Sequence, residues 1–157
     1  MSRLANTLLL IVCFTTSTGY AMSLFDAGKI CTFSQVNAKV TFNGKPATGA
    51  LVTRIAKLKE TKKEETTTNT NGEFSFPAIF EKSLKKLLPM EIVVSQQMLV
   101  EYQGETYEIW ANGKMNPDEN SELDGQPLNL NCELTDELRT HRTSSSLIMT
   151  NCIWEEQ

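Results

Sequence analysis

Between Val36 and Phe42 the chain alternates without a break, VNAKVTF, with Val36, Ala38, Val40 and Phe42 on one side and Asn37, Lys39 and Thr41 on the other. Successive side chains of a strand point to opposite faces of a sheet, so this period of two specifies a strand with one buried face. It stops at Asn43-Gly44-Lys45-Pro46, where glycine accepts positive φ and proline cannot continue a ladder. A strand from about Ala50 to Leu58 follows, carrying Leu51, Val52, Ile55 and Ala56. The stretch TTTNTNGEFSFPAIF, residues 66–80, then reads as a strand over Thr66–Thr68, a turn at Asn71-Gly72 and a second strand in which Phe74 and Phe76 face the core.

Further along, Ile79, Phe80, Leu84, Leu87 and Leu88 fall at helical spacing, which predicts a short crossover helix over 79–88 that Pro89 ends. Glu91–Tyr102 and Thr106–Ala111 read as a hairpin around Gln103-Gly104. Asn112–Gln126 reads as a long polar loop, and Pro127–Glu133 as a strand with Leu128, Leu130 and Cys132 on one face. The expectation is a mostly β, antiparallel, seven-stranded sandwich with one short helix. After Leu134 the tail is polar up to Ser146, and 147–149 and 152–154 offer either an added edge strand or a loose extension.

The first residues have the form of an export signal. Arg3 precedes the apolar run Leu8–Phe14, and Gly19-Tyr20-Ala21 presents small residues where a signal peptidase cleaves. The run is far short of the roughly 20 residues needed to span a bilayer, so no stable membrane insertion is expected after cleavage. The expected organisation is a signal at 1–21, an N-terminal segment at 22–35, a sandwich domain at 36–134 and a tail at 135–157, in a periplasmic or secreted protein. Losing Arg3 from 15 Lys+Arg, against 19 Asp+Glu, moves the formal charge from −4 to −5. An acidic chain is a poor match for nucleic acid, whose phosphates need a basic face. The lysines at 57, 59, 62 and 63 are interleaved with Glu60, Glu64 and Glu65 and read as a solvated loop or hairpin tip.

Cys31, Cys132 and Cys152 remain after cleavage, and an oxidising compartment favours one disulfide among them. Cys31 with Cys132 is the preferred pairing, since one precedes the first core strand and the other lies in the last; Cys132 with Cys152 is the rival.

The motifs Asn43-Gly44-Lys45-Pro46-Ala47-Thr48-Gly49-Ala50-Leu51-Val52 and Thr68-Asn69-Thr70-Asn71-Gly72-Glu73-Phe74-Ser75-Phe76 resemble the signature of carboxypeptidase-regulatory-like, transthyretin-like domains. Asn69 stands where that signature usually has Asp, which keeps a turn acceptor but loses a charge. Together with Leu24-Phe25-Asp26, Cys31-Thr32-Phe33-Ser34, Phe76–Phe80, Trp110, Asn120-x-Glu122-Leu123 and Cys132-Glu133-Leu134, the chain is similar to a proteobacterial family of small single-domain proteins. The resemblance implies fold and bacterial origin; it transfers no catalytic residue.

A search for chemistry finds little. His141 is the one histidine and lies between charged and polar neighbours, so a nucleophile–histidine–acid triad is not expected. Asp118, Glu119, Glu122 and Asp124 share one loop, but without the spacing of a calcium loop. No catalytic residue, metal or cofactor is expected. Tyr102, Tyr107 and Trp110 could form an interaction surface if exposed together, although Trp110 also suits the core. The expected function is a non-enzymatic binding module with a protein partner, in its narrower form an immunity or inhibitor protein against a periplasmic toxin or hydrolase. The alternative is an envelope-associated structural or carbohydrate-binding accessory domain.

Overall fold

The computed structural model describes residues 28–83 and 91–155. The expected signal at 1–21 and the second half of the expected helix lie outside these residues. The chain forms β1 (Lys29–Phe33), β2 (Val36–Phe42), β3 (Lys45–Pro46), β4 (Leu51–Lys57), β5 (Thr61–Thr67), β6 (Glu73–Phe76) and β7 (Ile79–Lys82). It continues through β8 (Val94–Tyr102), β9 (Glu105–Lys114), a 3-10 turn at Ser121–Leu123, β10 (Leu128–Glu133), β11 (Arg139–Arg142), β12 (Ser146–Thr150) and β13 (Cys152–Ile153). The described residues therefore hold thirteen strands rather than seven, and no α-helix.

Two sheets face each other. One runs β13-β10-β2-β3 with β6 also on β2, the other β11-β12-β9-β8-β4-β5, and β1 pairs with β7 in a separate ribbon. Pairing is antiparallel except that β10 lies parallel to β2, Leu128 opposite Val36 and Cys132 opposite Val40. The inner faces supply the core: Val36, Val40, Phe76 and Leu130 meet Val52, Met98, Val100 and Trp110.

Several expectations are corrected. Ile79–Lys82 is not the start of a helix but a strand, because its backbone pairs with β1, Ile79 turning in and Phe80 out. Residues 66–76 are not a hairpin: β5 pairs with β4 in one sheet and β6 with β2 in the other. The Asn71-Gly72 turn is thus a corner between sheets. The charged 59–65 stretch is not a loop tip either, since β5 begins at Thr61 and forms a sheet edge. Charged side chains on such an edge discourage pairing with another chain. Of the two readings open for the tail, the added strand holds: among the described residues β12 pairs with β9 and β13 with β10.

Candidate functional site

The period-two phase of β8 and β9 carries polar residues inward. Val94, Gln96, Met98 and Val100 face the core, as do Trp110, Asn112 and Lys114. Lys114 Nζ lies 3.0 Å from Glu122 Oε2, both side chains having no exposure. The contact is an ion pair rather than an aligned hydrogen bond. Glu122 accepts hydrogen bonds from Ser34 N at 3.0 Å, Ser34 Oγ at 2.6 Å and Gln96 Nε2 at 2.8 Å. Gln96 Oε1 accepts from Asn112 Nδ2 at 2.8 Å, and its Nε2 also donates to Thr32 O at 2.8 Å. Burial opposes ionisation of Glu122, but Lys114, Ser34 and Gln96 outweigh it and hold the carboxyl below its usual range.

A serine 2.6 Å from a carboxylate has the outline of a nucleophile and its base. Here, however, Ser34 Oγ also accepts from Asn120 N at 2.7 Å, and Ser34, Gln96, Lys114 and Glu122 are at most 2% exposed. No substrate reaches this cluster in the folded state. Its role is to fasten the 116–126 segment and the bend after β1 onto β8 and β9. Arg54, also fully buried, spans Phe33 and Phe76 with its guanidinium 5.2 and 4.5 Å from the ring centroids, donates to Pro77 O at 2.7 Å and pairs with Glu64. Burial lowers its pKa, with Glu64 partly offsetting the effect.

The disulfide joins Cys132 to Cys152, which face each other across β10 and β13, and the preferred Cys31–Cys132 pairing is thereby corrected. Cys31 sits in the β1/β7 ribbon as a buried free thiol, 3.7 Å from Ser34 Oγ, and burial pushes its pKa up. The aromatic trio forms no common surface. Trp110 is wholly buried, while Tyr102 and Tyr107 are half-buried and pack edge-on against Phe42 at 5.6 and 6.1 Å. The acidic loop does not converge: Glu122 points inward to Lys114, whereas Asp124 accepts from Ser144 N at 3.1 Å. Among the described residues no three His, Cys, Asp or Glu side chains cluster as metal ligands, and no helix is long and apolar enough to cross a membrane.

The accessible candidate lies on the outer face of the six-stranded sheet. Leu147, Gly113 and Ser95 lie side by side, as do Met149, Ala111 and Gln97. Gly113 and Ala111 form the low floor of a shallow trough of about 580 Å³, walled by Val93, Leu147 and Met149, which are 55%, 44% and 43% exposed. Arg142 opposite Leu147 and Lys57 opposite Ser95 stand at the two ends of its first row. The alternation of 147–149 carries the signal of this face, since it sets Leu147 and Met149 on the side opposite the buried Ile148.

Fold and site together define a two-sheet, disulfide-bonded all-β protein with a sealed polar core and an open apolar face. The chain belongs to the family of a domain of unknown function, DUF6795, whose model matches residues 36–137. No curated protein and no solved structure matches the chain.

Proposed function

We propose that this protein is an exported, non-enzymatic binding module whose contact surface is the trough over β8, β9 and β12. The observation that carries the reading is the exposure of Val93, Leu147 and Met149 around a floor of Ala111 and Gly113, where a solvated sheet face would carry polar side chains. The occupant is a different protein with an apolar ridge flanked by acidic groups. A second copy docked two-fold along or across this row would set cations against cations, Arg142 and Lys57 standing at its two ends. In the narrower form of the proposal the partner is a toxin or hydrolase that binding neutralises.

Export to the periplasm or beyond rests on the signal-like 1–21 segment, and the Cys132–Cys152 bond favours an oxidising compartment. A transthyretin-like sandwich of bacterial origin is part of the same proposal, supported by the glycine turns at Gly44 and Gly72 that its signature demands.

The test is capture from periplasmic extract with residues 22–157, followed by titration of the purified partner against the parent protein, Leu147→Glu and Met149→Glu. One stoichiometric protein partner should lose about 30-fold or more in affinity with either variant, the scale of an interface hot spot. Unaltered affinity in both variants, or no stoichiometric protein, refutes the proposal. Inhibition of the partner's own activity decides the narrower form.

A further inference from the structure

We propose that the opposite face of the molecule, the outer side of the five-stranded sheet, is a binding groove for a neutral oligosaccharide. Two registered rows of side chains cross this sheet. Ser75, Asn37 and Asn129 form the first row; Glu73, Lys39, Asn131 and Ile153 form the second. All of these but Ile153 line a groove of about 820 Å³ that Trp154 also borders, within the size range of ligand sites.

Three features point to the class of ligand. Asparagine is disfavoured in strands, yet three occupy exposed, adjacent strand positions here, so sheet formation does not explain them. Only Asn37 and Asn129 bond to each other, Nδ2 to Oδ1 at 3.2 Å, and each amide keeps its other polar atom for a ligand. Planar amides that both donate and accept match the paired hydroxyls of a sugar. Second, Lys39 lies directly opposite Glu73 on the floor and Glu155 also lines the groove, so the site carries no net positive charge. A single compensated lysine cannot hold a polyanion, and the polar floor gives an apolar peptide nothing to bury. Third, Trp154 is half-buried and braced by His141, edge to face with centroids 5.0 Å apart, which sets a rigid aromatic platform beside the amides. The groove shares no residue with the apolar trough, so either proposal can fail alone.

Trp110 and Trp154 are the two tryptophans, and Trp110 is sealed in the core, so a change in intrinsic fluorescence on adding sugar reports on Trp154 at the groove. Residues 22–157 would be titrated with maltohexaose, cellohexaose and chitohexaose, and with a heparin hexasaccharide as the polyanionic control. At least one neutral hexasaccharide should give a saturable change below about 10 mM, and Asn129→Ala or Asn131→Ala should weaken it about tenfold. The unfolding midpoint should change little in both variants, since both side chains are solvent-facing and the one bond lost, Asn37 to Asn129, is exposed. Trp154→Ala would remove the reporter itself, so the asparagine variants carry the decision. No saturable change with any neutral sugar, saturation by the heparin fragment alone, or a response that survives both asparagine substitutions together would overturn the proposal.

Discussion

Glu122 and Lys114 show what a single buried charge demands. Each is held by the other at 3.0 Å, and removing one leaves its partner charged and unpaired in the core. Glu122→Gln should therefore cost about 3 to 5 kcal/mol, whereas pairing it with Lys114→Met should recover most of that loss; urea unfolding of the parent, the single and the double variant checks both. Glu133 is the contrasting surface case. Some desolvation raises its pKa, but the Thr135 and Thr41 hydroxyls and the N–H groups of Gly44 and Thr135 outweigh this and bring it from 4.5 to about 2. With the folded value below the unfolded one, the unfolded chain binds the extra proton as the pH falls. The contribution is therefore complete above about 4.5 and lost toward about 2. Glu133→Gln should be less stable than the parent at neutral pH, and the gap should close across that interval in urea midpoints measured against pH. The inward residues were partly legible in the sequence, since Gln96 lies in phase with Val94 and Met98. What the phase could not say is that Glu122, far along a polar loop, supplies the counter-charge.

At the scale of elements, the corner between β5 and β6 depends on one glycine. Gly72 has φ of 77°, and a Cβ there would sit 2.3 Å from Val40 O. Gly49 has a similar φ of 71° with nothing within 4 Å of the same position. Gly49→Ala should therefore cost only about 1 to 2 kcal/mol for the left-handed backbone. Gly72→Ala should cost well beyond that, because backbone has to move to admit the methyl group; paired unfolding curves would separate the two terms. Equal losses would mean that the turn shifts freely and that the corner is not rigid. Strands such as 36–42 and 128–133 were legible because alternation is local. The partner of a strand is not local, and so a turn sequence that suits a hairpin served here to pass the chain between sheets. The same limit applies to Ile79–Lys82, where apolar spacing suggested a helix and pairing with β1 gives a strand.

The disulfide acts on the whole molecule. Cys132 and Cys152 are neighbours in the five-stranded sheet, but the 20-residue span between them passes through β11 and β12 in the other sheet. The bond thus closes a loop that straddles both layers and ties the tail to the far side of the core from its own hairpin. Nothing local specified that pairing: it depends on β10 lying parallel to β2, which leaves its other edge for β13. Closing a loop of this length restricts the unfolded chain by about 3 kcal/mol. Replacing both cysteines by alanine should lower the melting temperature by roughly 10 °C. Unfolding should remain a single transition, because β12 still pairs with β9 along its whole length and buries Ile148 in the common core. Calorimetry distinguishes the alternatives. A separate low-temperature transition would mean that the bond, rather than packing, holds the tail. A loss below about 1 kcal/mol would mean that the denatured chain already keeps these strands close, so that the bond has little entropy to remove.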